Sequence, residues 1–211
     1  MFHQYNDSLT TVTNYAALSS FYTKFPHLKQ NDFYLAGESY AGIYVTLLAV
    51  QLLDQHFPVN LKGVLIGNGF LDPHSLRYQS LNEYLVYHGL LDSIESPYYP
   101  PTQLYPYHIY RNCIPPYWYN LTEELAAGKV PCENFHQLVS YFNRKVVQEA
   151  IHIDPAWNGN WSYIEYWILK SYKHRSKDLS VEMKHLLESG IKVLVYNGDC
   201  DLVCNFIGNK R

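Results

Sequence analysis

One serine stands in a setting where a hydroxyl can become a nucleophile. Phe33-Tyr34-Leu35-Ala36 is a short β-type run, it breaks into Gly37-Glu38-Ser39-Tyr40-Ala41-Gly42, and an apolar stretch of helical character follows. A serine at such a strand-to-helix turn lies at the carboxyl edge of a sheet, its hydroxyl exposed and a helix amino end beside it to meet an oxyanion. Small flanks allow the sharp turn, because Gly37 and Ala41 let strand and helix approach closely. The strict G-x-S-x-G pattern is not met: Ala41 holds the second glycine's place and Gly42 comes one residue later. A bare G-x-S-x-A/G match also occurs in ordinary loops, so the chemistry rests on what surrounds Ser39. A carboxylate for such a serine is offered late in the chain by Asn197-Gly198-Asp199-Cys200-Asp201, directly after the β-type run Ile191 to Tyr196. Both acids follow the serine, as the acid of this kind of triad does, and position leaves Asp199 and Asp201 open. None of the ten histidines fits the base. His88, His152 and His185 sit at helical spacing, where an isolated imidazole packs or faces solvent.

The elements that must position these groups follow from periodicity. Residues 8–25 carry Leu9, Val12, Tyr15, Ala16, Leu18, Phe21 and Tyr22 near helical spacing, and Pro26 ends the pattern. Phe33 to Ala36 is a strand, Tyr40 to Phe57 a helix closed by Pro58, and Leu61 to Asn68 a continuous apolar run, the pattern of a strand buried on both faces. Helix, strand, helix, strand implies a parallel sheet whose carboxyl edge carries Ser39 and the Gly67-Asn68-Gly69 turn. From residue 73 to 190 the strand signal gives way to helical stretches at 80–91, 141–152, 161–174 and 178–189, with a Pro- and Tyr-rich passage at 97–119. This reads as an inserted helical cap over the sheet edge, with a separate helical domain as the alternative. Ile191 to Tyr196 returns as another buried strand. The expected division is 1–72 for the first part of an α/β core, 73–190 for the insertion and 191–211 for the acid-bearing strand and loop.

Composition excludes several classes. A net charge of -3 over 211 residues gives no electrostatic reason for a nucleic-acid partner. No apolar run is long enough to cross a bilayer, and residues 1–10 lack the basic start and apolar middle of a signal peptide. There is no H-E-x-x-H and no paired C-x-x-C, and Cys200 to Cys204 has no second half, so no metal site is expected. The 21 tyrosines, many of them between Tyr78 and Tyr119, suggest half-buried amphipathic rings.

Four stretches, FYLAGESYAGIYV, KGVLIGNGFLDP, YLVYHGLLDS and VLVYNGDCDLVCNFIGN, resemble the serine carboxypeptidases, and among them the lysosomal cathepsin A-like members. The resemblance implies part of an α/β-hydrolase fold, mostly parallel with a helical cap, and hydrolysis of peptides or proteins with a free C-terminus at acidic pH through an acyl-enzyme, with no cofactor. It implies an internal stretch of a longer protein. The signal peptide and a glycine-rich oxyanion segment are expected in front and the Gly-His segment with the catalytic base behind, so residues 1–211 alone are expected to be inactive. Ser39 matches the nucleophile, Asp201 the triad acid, the Tyr40 backbone N–H one oxyanion donor, and Glu38 the acid that holds the substrate's C-terminal carboxylate. Two carboxyl groups share a hydrogen bond only when one carries a proton, which is the reason for the acidic pH. Cys113 and Cys132 match a family disulfide and Cys204 a free thiol near the active site, whereas Cys200 departs from the pattern. Asn6, Asn120 and Asn160 head glycosylation triplets, in keeping with a lysosomal or secreted route. A homodimer or lysosomal glycosidase partners are further implications. A non-catalytic protective homologue, or an acyltransferase or esterase on the same scaffold, are the alternatives.

Overall fold

In the computed structural model, which describes residues 5–76, 80–95, 104–113, 132–133, 135–174 and 178–210, the chain opens on a well-capped helix. The Asn6 Oδ1 accepts from the Leu9 N–H at 2.8 Å, Asp7 lies in the first turn and Lys24 in the last, both matched to the helix dipole, so α1 spans Asp7–Lys24. Pro26 then starts a short 3-10 turn. Tyr22 is buried and Tyr15 and Leu18 pack on the core, while Leu9, Val12 and Phe21 stay exposed. Only part of the apolar stripe read along this helix is therefore an inner face.

Strand β1 (Asp32–Glu38), helix α2 (Ala41–Asp54) and strand β2 (Asn60–Gly67) follow. α2 is the central helix: Ile43, Val45, Leu48, Ala49 and Leu52 are buried, each large one contributing roughly 1.5–3 kcal/mol. It ends three residues before the expected Phe57, because His56 turns to a φ of +50° and the Phe57 N–H closes back on the Leu52 carbonyl at 2.9 Å. After α3 (Leu81–Tyr87) come α4 (Phe135–Phe142), α5 (Lys145–Ala150), α6 (Tyr166–Ser171), α7 (Ser180–Glu188), β3 (Lys192–Tyr196) and α8 (Phe206–Lys210).

The three strands are parallel in the order β1-β2-β3, and their carboxyl ends are level, with Glu38 beside Gly67 and Gly67 beside Tyr196. One face carries the core: Leu35, Val64 and Ile66 meet Val45, Leu48, Ala49 and Leu52 of α2 and Leu186 of α7. The expectation of strands buried on both faces holds for this face alone. Tyr34, Leu194 and Tyr196 on the other are 50%, 53% and 54% exposed, because α1, α2 and α7 all contribute to a single core on one side. Apolar content marks a residue as suited to a sheet interior without saying what covers it.

The chain divides into two units, Met1–Pro100 with Pro106–Ile109 and Lys173–Arg211, and Pro101–Tyr105 with Tyr110–Tyr172. The second unit contains α4 to α6. The stretch read as one helix over 141–152 is broken at Asn143, whose side chain leaves the helical path to accept from the Trp161 N–H at 2.7 Å and donate to the Trp161 carbonyl at 2.8 Å. Cys113 and Cys132 are joined in a disulfide, buried with Tyr105, whose hydroxyl donates to Glu133. Closing a loop of 19 residues stabilises by roughly 3 kcal/mol through the unfolded state.

Candidate active site

Ser39 has a φ of +56°, in the left-handed region that costs a residue with a Cβ about 1–2 kcal/mol. The surroundings hold it there. Its N–H donates to the Gly67 carbonyl at 3.0 Å, extending the sheet by one bond past Glu38, and its own carbonyl accepts from the Gly42 N–H at 3.0 Å and the Phe70 N–H at 2.9 Å. Tyr40 already has helical dihedrals, φ -60° and ψ -22°, so the strand becomes α2 within two residues. Gly37 explains how: a Cβ there would lie 2.7 Å from the Ala41 carbonyl oxygen. Gly42 explains why the second glycine is displaced by one, since its hydrogen faces Ile66 and Gly69, where a Cβ would sit at 3.1 and 3.3 Å.

Level with this turn, Asn68 is also at positive φ, +41°. Its N–H donates to the Tyr196 carbonyl at 2.9 Å, its Oδ1 accepts from the Gly198 N–H at 3.1 Å, and its Nδ2 donates to Asp201 Oδ2 at 3.0 Å. Asn68 thus ties the end of β2 to the loop after β3. The sequence marks it only as a turn residue, through a polar side chain between two glycines that tolerates the left-handed conformation. Asp201 accepts two further bonds, from the Val203 N–H at 3.0 Å and the Cys204 N–H at 3.2 Å. Asp199 serves its own loop instead: its carbonyl accepts from the buried Tyr84 hydroxyl at 2.8 Å and its carboxylate from the Cys200 thiol at 3.3 Å.

Glu38, Ser39, Asp201 and Cys204 form one electrostatic cluster. Burial pushes the Asp201 carboxyl above the usual carboxylate range, its backbone donors and Asn68 pull it back, and the charge of Glu38 adds to the rise. Burial first, then the charge of Asp201, pushes the Cys204 thiol up to about 12, with the neighbouring Ser39 hydroxyl opposing and Glu38 adding. Cys204 is therefore a neutral thiol at physiological pH. Its alkylation by iodoacetamide at pH 8 should run at least about a hundredfold slower than that of an ordinary cysteine, the lost thiolate fraction outweighing the gain in intrinsic nucleophilicity and burial at 1% exposure slowing it further; competitive labelling against glutathione measures this.

The other expected residues are spread out. Asn6 is the cap of α1, Asn160 is exposed, and Asn120 lies outside the described residues. His88 packs against Tyr84 at 4.4 Å, His152 is exposed, and His185 Nε2 meets Asp54 at 2.9 Å. Among the described residues no histidine hydrogen-bonds Ser39 or Asp201, no group of three His, Cys, Asp or Glu could hold a metal ion, and no helix is long and apolar enough to cross a membrane.

Comparison with known proteins bears on this site. A family model described as serine carboxypeptidase matches residues 2–100 and 93–211. The chain is 30% identical over 263 aligned positions to serine carboxypeptidase ctsa-4.1 of Caenorhabditis elegans, covering 98% of this chain and 54% of the relative. It is 28% identical over 267 positions to the lysosomal protective protein of Mus musculus, covering 97% and 56%. The crystal structure of Kex1, a prohormone-processing carboxypeptidase from Saccharomyces cerevisiae, matches in fold with a TM-score of 0.61 at 20% identity, over 91% of this chain and 49% of that one. The chain spans about half the length of the curated relatives it matches. The parallel sheet and its elbow are part of an α/β-hydrolase fold.

Proposed function

The chain belongs to the serine carboxypeptidase family, and on that premise we propose that it acts as a serine-type carboxypeptidase, removing C-terminal residues from peptides at acidic pH through an acyl-enzyme. The observation that carries the reading is a strained serine, Ser39, sharing one electrostatic cluster with Glu38 and a hydrogen-bonded acid, Asp201. The Ser39 hydroxyl attacks the last peptide carbonyl and its proton passes to a base, which returns it to the departing amine; water then hydrolyses the ester. The Tyr40 N–H, at the amino end of α2, donates to the oxyanion. Asp201 orients the imidazole and stabilises its cation. The reading calls for a histidine as the base, and among the described residues none hydrogen-bonds Ser39 or Asp201. A lysosomal or secretory location goes with the reading, supported by the named relatives and the disulfide.

Glu38, exposed at the last position of β1, holds the substrate's terminal carboxylate through a shared proton. Asp201 must be ionised to orient a base, and its carboxyl is raised, so activity falls as pH drops through that raised value. Removing the negative charge of Glu38 lowers it. Glu38→Gln in the full polypeptide should therefore move the acid limb of the kcat/KM profile to lower pH. It should also reduce the preference for a free C-terminus over the amidated peptide by about tenfold, the scale of one charge-assisted hydrogen bond. An unchanged acid limb together with unchanged preference would sink the assignment. Peptide, ester and acyl-sugar substrates compared side by side separate a carboxypeptidase from an esterase or acyltransferase. Ser39 unlabelled by a fluorophosphonate would point to the non-catalytic homologue.

A further inference from the structure

The side chain of Tyr40, the residue after Ser39, is held by a carboxylate from the first turn of α1. The Tyr40 hydroxyl donates to both carboxylate oxygens of Asp7, at 3.0 and 3.1 Å, across 33 residues of sequence. Asp7 is 6% exposed, in the first turn of α1. Its own position is fixed: Thr11 donates to its carbonyl at 2.8 Å, and the segment just before it is tied to the strand-like residue Lys173, whose N–H donates to the Tyr5 carbonyl at 2.9 Å. The Tyr40 ring stacks on Phe70 at 5.6 Å and meets Tyr44 and His174 edge-on, both at 5.2 Å. Phe70 in turn donates its N–H to the Ser39 carbonyl. Phenol, ring and backbone therefore fix one peptide plane, the Ser39–Tyr40 unit, from three directions.

We propose that Asp7 is a positioning residue for the nucleophile elbow, acting through the Tyr40 hydroxyl to hold the Ser39–Tyr40 peptide at the orientation in which its N–H points to the oxyanion. This rests on the reading of Ser39 as the nucleophile. The physical case is that Ser39 sits at positive φ, so rotation about its N–Cα bond towards a lower-energy φ would carry the peptide that follows it out of place. A bond to a buried carboxylate is strong enough to oppose that relaxation, and Tyr40 is the first residue beyond the strained one that can receive it. A phenylalanine at position 40 would fill the same aromatic site and lose this restraint.

The test compares wild type, Tyr40→Phe, Asp7→Ala, Asp7→Asn and the double variant Asp7→Ala/Tyr40→Phe in the full polypeptide, reading the rate of fluorophosphonate labelling at Ser39, kcat and KM for a blocked dipeptide, and the thermal midpoint. Tyr40→Phe is the decisive variant if Asp7→Ala folds poorly, since it removes one oxygen. Tyr40→Phe and Asp7→Ala should each slow labelling and kcat by about tenfold with KM within about twofold, a fraction of the roughly hundredfold cost of an ångström of misplacement. Asp7→Asn should restore most of the rate, because its amide oxygen still accepts from the phenol, and the double variant should be no slower than either single one. Labelling of Tyr40→Phe at the wild-type rate overturns the inference, as does an Asp7→Asn as slow as Asp7→Ala or a double variant with additive losses. A wild type that is not labelled at Ser39 overturns the nucleophile reading and this inference with it, and that failure is visible in the wild type alone.

Discussion

Ser39→Ala in the full polypeptide is expected to abolish fluorophosphonate labelling and to lower kcat/KM for peptides by at least about 10⁴-fold, the scale of removing one member of a cooperating triad. The fold should survive, because the three bonds that build the turn are made by the backbone of residue 39 and are indifferent to its side chain. A second substitution separates chemistry from strain. Ser39→Gly abolishes the reaction equally, yet it relieves a φ of +56° that costs a Cβ-bearing residue about 1–2 kcal/mol, against roughly 0.5–1 kcal/mol for the extra backbone freedom of glycine in the unfolded chain. Ser39→Gly should therefore be more stable than Ser39→Ala by about 0.5–1 kcal/mol in urea denaturation. The comparison matters because it measures the strain held at Ser39 apart from the loss of its hydroxyl. Residual labelling of Ser39→Ala at another residue, or equal midpoints for alanine and glycine, would remove the argument from strain to function.

How much of this was legible beforehand depends on the range of the interaction. The order of α1, β1, α2, β2 and β3 was readable because each is a local pattern with a punctuating residue: Pro26 after α1, the Gly37 to Gly42 break, Pro58 after α2. The level carboxyl ends followed from parallel pairing, and they bring Ser39 to the Gly67-Asn68 turn as expected. What escaped was the pairing of individual polar side chains distant in the chain. Asn68 and Asp201 are 133 residues apart, and neither periodicity nor composition marks a single amide as the brace of a single acid. Position alone leaves Asp199 and Asp201 open and the resemblance picks Asp201; their bonds also differ, to Tyr84 and Cys200 on one side and to Asn68, Val203 and Cys204 on the other. The exposed face of the sheet escaped for a related reason. Leu194 and Tyr196 have the side chains of a buried strand, and the helices that meet the sheet lie on the opposite face.

Gly37→Ala is expected to be strongly damaging, lowering stability by about 3 kcal/mol, at the upper end of overpacking costs. The new Cβ would lie 2.7 Å from the Ala41 carbonyl oxygen and 2.9 Å from Val45 Cγ1. Val45 can turn away, but the carbonyl belongs to the first turn of α2 and moves only with the helix. α2 cannot shift cheaply: Ile43, Leu48, Ala49 and Leu52 are buried along it, and the space beside Gly42 is closed by Ile66 and Gly69, where a Cβ would sit at 3.1 and 3.3 Å. The strain then falls on the turn at Ser39 that joins strand to helix, so fluorophosphonate labelling should fall even in the fraction that remains folded. Gly198→Ala is the matched control. Its Cβ would have no neighbour nearer than Asn68 Oδ1 at 3.9 Å, so its stability should stay within about 1 kcal/mol of wild type. If Gly37→Ala keeps the wild-type urea midpoint and labelling rate, β1 and α2 are not packed closely enough for the turn to be under load, and the position of Ser39 would need another cause.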